Sequence, residues 1–328
     1  MATKIGVVIP KPNRDQLFSA EDQARLEGLG AVSWSESSEQ LSVQEAGALL
    51  AGCEVGVGSW GTPFPSAELL ALCPDLRFWE HAAGSVKRMF GPHLAGRELT
   101  IASCAPAIAD GVAEMTVGEL LIGLKRVLEN ATANRQGRAR RPPNTRTLRA
   151  STIGIVGASH VGRAVIGLLK AFGSRILVYD PFLAPDQAQA LGVTKMETVV
   201  ELCRQSHAVA LHTPAIPACR HIIGKPELAA MPDDAVFVNT SRGLCVDEAA
   251  LIEECGKGRL LAFLDVTDPE PAADDSPLRS LPNVVLTSHM AGGKDWHIGA
   301  QATDDIAAFL KGEQPLMAVT PDMLARLA

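Results

Sequence analysis

Residues 151–173 read STIGIVGASHVGRAVIGLLKAFG, and the fold turns on how this stretch is parsed. An apolar run from Thr152 to Val156 meets a glycine at 157. A helical pattern follows, with Val161, Val165, Leu168, Leu169 and Phe172 along one stripe and Gly173 closing it. Strand, tight glycine turn and helix is the layout of a dinucleotide-binding turn, Gly-x-Gly-x-x-Gly. Gly157 and Gly162 hold the outer positions, and Ser159 stands where the middle glycine belongs. The outer glycines serve the sharp reversal and the close packing of helix on strand, while the middle residue must be small enough for a pyrophosphate to approach the helix N-terminus. Serine meets that need if its φ stays negative, and its hydroxyl could then donate to a phosphate oxygen. The following strand, RILVYD, ends in Asp180, 23 positions beyond Gly157. A carboxylate there accepts from adenosine ribose hydroxyls and repels a 2′-phosphate, so NAD(H) is expected in preference to NADP(H).

Outward from this turn the rhythm continues. Near-continuous apolar strands AVALHTP, AVFVNTS, LLAFLDV and NVVLTSH are separated by helical segments, which predicts a parallel sheet covered on both faces. Before it, IGVVIP, AVSWS, VGVGS, LRFWEHA and LTIAS alternate with capped helices such as SAEDQARLEGLG, a smaller α/β unit. Between the two, Glu114 to Asn130 predicts one long helix with Met115, Leu120, Leu121, Leu124 and Leu128 largely along one face. The arginine-rich connector RQGRARRPPNTRTLR could serve an anion or nucleic acid; a solvated bridge into the next domain is preferred.

At 328 residues the chain is long enough for two cores. A formal net charge of −7 gives no general attraction to nucleic acid or an anionic membrane, and favours a small-molecule partner caught by local arginines. Seven scattered cysteines, with no Cys-x-x-Cys, argue against disulfides and a metal site and for a cytoplasmic chain. The N-terminus reads as a first strand rather than a signal, and no apolar run reaches membrane-spanning length.

Three further strand ends carry polar groups, at the edge where ligands bind such sheets. NTSRG presents Thr240, Ser241 and Arg242, LDVTDPEP presents Asp265 and Glu270, and TSHMAGG presents His289. With HAAGSVK (81–87), VAE (112–114) and LHTP (211–214), this ordered series resembles the D-isomer-specific 2-hydroxyacid dehydrogenase family over nearly the whole chain.

The resemblance implies an α/β fold of two domains. A Rossmann-type doubly wound parallel sheet (105–291) is inserted into a smaller flavodoxin-like substrate domain (1–104 and 292–328), with a cleft between the lobes. It implies hydride exchange between NAD(H) and a small anionic 2-keto or 2-hydroxy acid. His289 would be the general acid and base, and Glu270 would fix its tautomer and favour the imidazolium. Arg242 would bind substrate carboxylate and carbonyl together. Backbone N–H groups of Ala83, Gly84 and Ser85 would take the carboxylate. The cofactor would meet Gly157, Ser159, His160, Val161, Gly162, Asp180, Thr213, Pro214, Thr240, Ser241, Asp265 and His289. Asp265 would accept from the nicotinamide carboxamide, and the long helix from Glu114 would make a homodimer.

His81, His160 and His212 are given no catalytic task, and Asp247 is expected to N-cap a helix. Trp60 and Phe64 line the pocket or pack at a turn; Lys294, Trp296 and His297 touch substrate or face solvent. Two alternatives stand beside the main reading. One is a dehydrogenase of the same scaffold acting on a phosphonate or phosphite; the other is an NAD(H)-sensing, corepressor-like binding protein. A methyltransferase leaves Arg242, Glu270 and His289 unexplained.

Overall fold

The computed structural model describes residues 3–138, 142, 144–325 and 327. The chain divides into two compact units, residues 1–108 with 293–328 and residues 109–292. The first contains the strands β1 (Lys4–Val7), β2 (Ala31–Trp34), β3 (Val55–Gly58), β4 (Phe78–His81) and β5 (Thr100–Ser103). Its helices are α1 (Lys11–Leu17), α2 (Ala20–Leu29), α3 (Val43–Leu49) and α4 (Ala67–Leu72). Ser19 and Ser42 close capping boxes with Asp22 and Glu45, so the serine-then-acid pattern does start α2 and α3.

The second unit begins within α5 (Ala105–Leu124) and continues through α6 (Val127–Arg135), β6 (Thr152–Val156), α7 (His160–Phe172), β7 (Arg175–Tyr179), α8 (Pro185–Ala190), β8 (Thr194–Lys195), α9 (Val199–Gln205) and β9 (Ala208–Leu211). It ends with α10 (Lys225–Ala230), β10 (Ala235–Asn239), α11 (Glu248–Gly256), β11 (Leu260–Leu264) and β12 (Val284–Leu286). The chain then returns to the first unit as α12 (Trp296–Leu310) and β13 (Ala318–Val319).

Both sheets are doubly wound. The first runs β13-β5-β4-β3-β1-β2, parallel except for β13, and the second β12-β11-β10-β9-β6-β7-β8, parallel throughout. In the second, Val236 and Val238 of β10 pack into one core and Phe237 into the opposite one. Alternate side chains are therefore buried on both faces, which is why the strand reads as an unbroken apolar run. Strand order reverses between β6 and β9, so their carboxyl ends frame the crevice where such sheets take ligands.

Three expectations need correction. The single helix from Glu114 to Asn130 is two: α5 starts nine residues earlier, and Arg126 adopts a left-handed φ of 53° that breaks the chain direction. The Arg126 guanidinium is held there by Asp234, through its carbonyl at 2.8 Å and its carboxylate at 2.9 Å. Leu120 and Leu124 are buried as expected, but Leu128 lies beyond the break and is exposed. The buried face of α7 is Gly162, Val165, Ile166 and Leu169, one residue round from the expected stripe; Leu168 and Phe172 face out. The short strands β8 and β13 have no periodic signature and were not anticipated. In the arginine-rich connector, Ala139, Arg140, Arg141 and Pro143 lie outside the described residues.

Candidate active site

The turn after β6 is built as a dinucleotide turn requires. Gly157 has φ +101°, and a Cβ there would lie 2.6 Å from the His212 carbonyl oxygen. A Cβ on Gly162 would lie 2.1 Å from the Gly157 carbonyl oxygen, so α7 sits directly on the turn. Ser159 keeps φ at −65°, the condition for tolerating a side chain, and N-caps α7. Its hydroxyl donates to the His212 carbonyl at 2.9 Å and accepts from the Gly162 N–H at 3.4 Å. Exposed His160 and half-buried Val161 open the helix, and among the described residues their backbone N–H groups have no acceptor. The positive end of a 13-residue helix thus has open donors, which fits a pyrophosphate. Asp180 braces the turn, its two oxygens accepting from the N–H of Ala158 at 2.7 Å and of Phe182 at 2.8 Å. A carboxylate has about four lone-pair sites, so room remains for ribose hydroxyls.

His212, Thr213 and Pro214 follow β9. His212 is 3% exposed, burial holds its imidazole down to about 3, and neither ring nitrogen has a hydrogen-bond partner among the described residues. It is a neutral ring whose carbonyl, not its side chain, serves the turn.

At the end of β10, buried Asn239 organises the turn that carries Ser241 and Arg242. Its Oδ1 accepts from the N–H and hydroxyl of Ser241, each at 3.0 Å, and its amide donates to the Arg242 carbonyl at 3.1 Å. The Thr240 hydroxyl meets that of Thr116 on α5 at 2.9 Å. Arg242 is half-buried, with Nη1 donating to the Ser241 carbonyl at 2.6 Å. A Cβ on Gly243 would lie 2.1 Å from the Thr267 carbonyl carbon and oxygen. Only glycine lets the Arg242 segment run against the segment leading to Glu270.

Asp265, 1% exposed, fastens the His289 loop. One carboxylate oxygen accepts from the Thr287 hydroxyl at 2.5 Å and the Met290 N–H at 2.9 Å, the other from the Ala291 N–H at 2.9 Å. Its carbonyl accepts from the His289 N–H at 2.8 Å. His289 is held at φ 51°, a conformation a non-glycine residue adopts only when its surroundings impose it. Its Nδ1 lies 2.5 Å from Glu270 Oε1, both side chains partly open to solvent. An ionised carboxylate can only accept, so Nδ1 carries the proton and Nε2 is left for a reactant.

A model of the D-isomer-specific 2-hydroxyacid dehydrogenase NAD-binding domain matches residues 117–291, over half of the chain. The chain belongs to that family. A D-3-phosphoglycerate dehydrogenase from Methanocaldococcus jannaschii is 32% identical over 220 residues, which cover 66% of this chain but 42% of that one. A glyoxylate reductase from Thermofilum pendens is 28% identical over 328 residues, covering 97% of this chain and 94% of the other. The solved D-lactate dehydrogenase with NAD+ from Lactobacillus jensenii shares the fold, with a TM-score of 0.81 at 22% identity over 97% of this chain and 100% of that one.

Within a 2-hydroxyacid dehydrogenase, Asp265 thus has a structural task beside its expected cofactor role, and Asn239, one of the polar residues ending its strand, organises the Arg242 turn, a role not assigned from the sequence. An Asx turn at a strand end is the signal that could have found Asn239. Glu119 on α5 was also missed. It is 7% exposed, and burial, with the Asp265 charge, pushes its carboxyl up to about 8. The signal was an acidic residue set directly before the apolar run Leu120, Leu121 and Ile122 of the helix.

In the first unit, buried Ala83, half-buried Gly84 and exposed Ser85 follow β4. The Ala83 N–H is already donated to the His81 carbonyl at 2.6 Å, so it is withdrawn from the expected carboxylate set. The Gly84 N–H has no acceptor among the described residues. Trp60 is partly exposed, and Phe64 lies under the Arg88 guanidinium at 4.7 Å. Asp295 caps α12, Trp296 stacks on His297 at 3.7 Å, and Lys294 donates to Asn13 at 2.6 Å. Asp247 caps α11 as expected. No cluster of three or more His, Cys, Asp or Glu suited to a metal occurs among the described residues. No helix among them is long and apolar enough to cross a membrane. All seven cysteines are free and buried.

Proposed function

We propose that the protein is an NAD(H)-dependent reductase of a small 2-keto acid, forming the D-2-hydroxy acid and running in reverse when the acid is supplied. The observation that carries this reading is the 2.5 Å contact of His289 with Glu270, beside a strand end that carries an arginine. Residues 105–291 would be the cofactor domain, and residues 1–104 with 292–328 the substrate domain.

The N–H groups of His160 and Val161, at the Gly157–Gly162 turn beside Ser159, would hold the pyrophosphate and Asp180 the adenosine ribose. Thr213, Pro214, Thr240 and Ser241 would flank the nicotinamide end, and the remaining lone pair of Asp265 would accept from its carboxamide. When bound, the cofactor supplies the hydride exchanged at the substrate C2. Arg242 draws electron density towards the carbonyl oxygen and fixes which face is presented. His289 delivers a proton from Nε2 to that oxygen, while Glu270 holds the ring and stabilises its charge. In reverse, Nε2 takes the hydroxyl proton. The Asp180 carboxylate disfavours a 2′-phosphate, which supports NADH over NADPH.

We also infer a homodimer. Exposed Ile122 and Leu128 line a groove of about 780 Å³ on the α5–α6 side, together with Leu261 and Phe263, and a second copy would cover it. Loss of NADH absorbance with glyoxylate, hydroxypyruvate or longer 2-keto acids tests the activity. Turnover only with phosphite or a phosphonate, or NADH binding with no turnover, would replace it with one of the alternatives.

A further inference from the structure

A loop leaving a strand carries as many carbonyls as N–H groups, and what lies beneath it decides which set turns outward. Under loop 81–85 the buried groups are donors. The Ser59 hydroxyl, at the end of β3, donates to the Ala82 carbonyl at 2.7 Å. The Ser103 hydroxyl, at the end of β5, donates to the Gly84 carbonyl at 2.5 Å and approaches that of Ala83 at 3.3 Å. The Cys104 N–H donates to the carbonyls of His81 and Ala83, each at 3.1 Å. Every carbonyl from His81 to Gly84 is thus engaged, and β3 and β5 flank β4 in the sheet, so the loop is gripped from both sides. Ser59 and Ser103 are 3% and 2% exposed. Ser103 is itself held on two sides: its carbonyl accepts from the Gln301 amide at 3.0 Å, and its N–H donates to the Met317 carbonyl at 3.2 Å.

We propose that Ser59 and Ser103 are positioning residues for substrate binding: by drawing the carbonyls of Ala82, Ala83 and Gly84 inward, they leave the loop's donor edge, with the Gly84 N–H, for the substrate carboxylate. The inference rests on the proposed role of this loop in carboxylate binding. Its physical content is electrostatic, since outward carbonyls repel an anion and outward N–H groups attract it. Removing the Ser59 hydroxyl leaves the Ala82 carbonyl, and removing the Ser103 hydroxyl the Gly84 carbonyl, without its donor, and the cheapest remedy is to turn that carbonyl towards water, at the rim where the anion binds.

The test uses the full chain, with steady-state kinetics on glyoxylate and NADH, and calorimetric binding of oxalate to the NADH-loaded protein. Ser59→Ala and Ser103→Ala are each expected to raise KM and the oxalate Kd roughly tenfold, the weight of one hydrogen bond. The kcat and the NADH Kd should hold within about twofold, and the threonine variants, which keep the hydroxyl, should bind oxalate nearly as wild type. Unchanged oxalate affinity in both alanine variants, with a wild type that binds it, would overturn the clamp alone. So would a parallel loss of oxalate and NADH affinity with a lowered Tm, which marks general damage. A wild type that neither reduces 2-keto acids nor binds oxalate would remove the functional reading and the clamp with it.

Discussion

The two sheets share an architecture and treat an anion differently. In the second unit, β6 runs through a glycine turn into the N-terminus of α7, and open N–H groups at a helix end make the site. In the first unit, the matching link from β1 to α1 is Val8, Ile9 and Pro10; α1 starts with no side-chain cap, with Pro12 in its first turn and the Lys11 N–H already donated to the Ser37 carbonyl, and the open donor is on the loop after β4 instead. Prolines remove donors where the other turn exposes them. Each unit also buries a strand-end histidine, His81 as the last residue of β4 and His212 just after β9, and burial holds both near 3. His289 is the contrast, open to solvent and bonded to a carboxylate. The lesson is that doubly wound sheets fix where ligands arrive, while the residues at each strand end decide which polarity meets them.

The sharpest way to break the contrast among histidines is His289→Ala. Turnover should fall by about two to four orders of magnitude with NADH affinity nearly intact, read by stopped-flow and fluorescence titration; unimpaired turnover would place His289 with the buried pair. Next, Gly157→Ala attacks the glycine turn itself. A side chain at φ +101° and 2.6 Å from the His212 oxygen should cost on the order of 2 kcal/mol and most cofactor binding, measured by denaturant melts and NADH titration. The same substitution at Gly84, which has a normal φ and meets only the Ile108 side chain at 3.8 Å, should spare the fold. Asp180→Ala should raise the NADPH-to-NADH ratio of kcat/KM roughly tenfold, the weight of one charge contact, and an unchanged ratio would clear that carboxylate of discrimination.

The smallest effect concerns pH. Glu119, pushed up to about 8, keeps a proton that the unfolded chain releases near the ordinary carboxylate value. Its stabilising share is full below that value and lost as pH rises towards 8. Glu119→Gln should flatten this slope, raising Tm at pH 8 relative to wild type by roughly 2–4 °C, against little change at pH 5. His212 has the opposite sign: held down to about 3, it contributes above the ordinary histidine value and fails as pH falls towards 3.

Much of this was legible from periodicity and turn chemistry. The strand from Thr152 to Val156, the capped helices α2 and α3 and the cap at Asp247 are local, and each is decided by a few neighbouring residues. The α5–α6 break was not legible, because the left-handed Arg126 is held by Asp234, more than a hundred positions away. The stripe on α7 came out one residue off, because Leu168 and Ile166 are equally apolar and only the packed sheet chooses between them.

By itself, then, the sequence determined the alternation of strands and helices, the placing of glycines where a chain must reverse, and the chemical types gathered at strand ends, because each depends on local sterics and apolar spacing. Tertiary structure alone decided where the hydrogen bonds go. Ser159 turns its hydroxyl to the His212 carbonyl, Asp265 spends most of its acceptors on the His289 loop, and Ser59 and Ser103 turn a loop's carbonyls inward. A polar side chain takes whichever buried partner folding brings within about 3 Å, and residues distant in the chain set that distance.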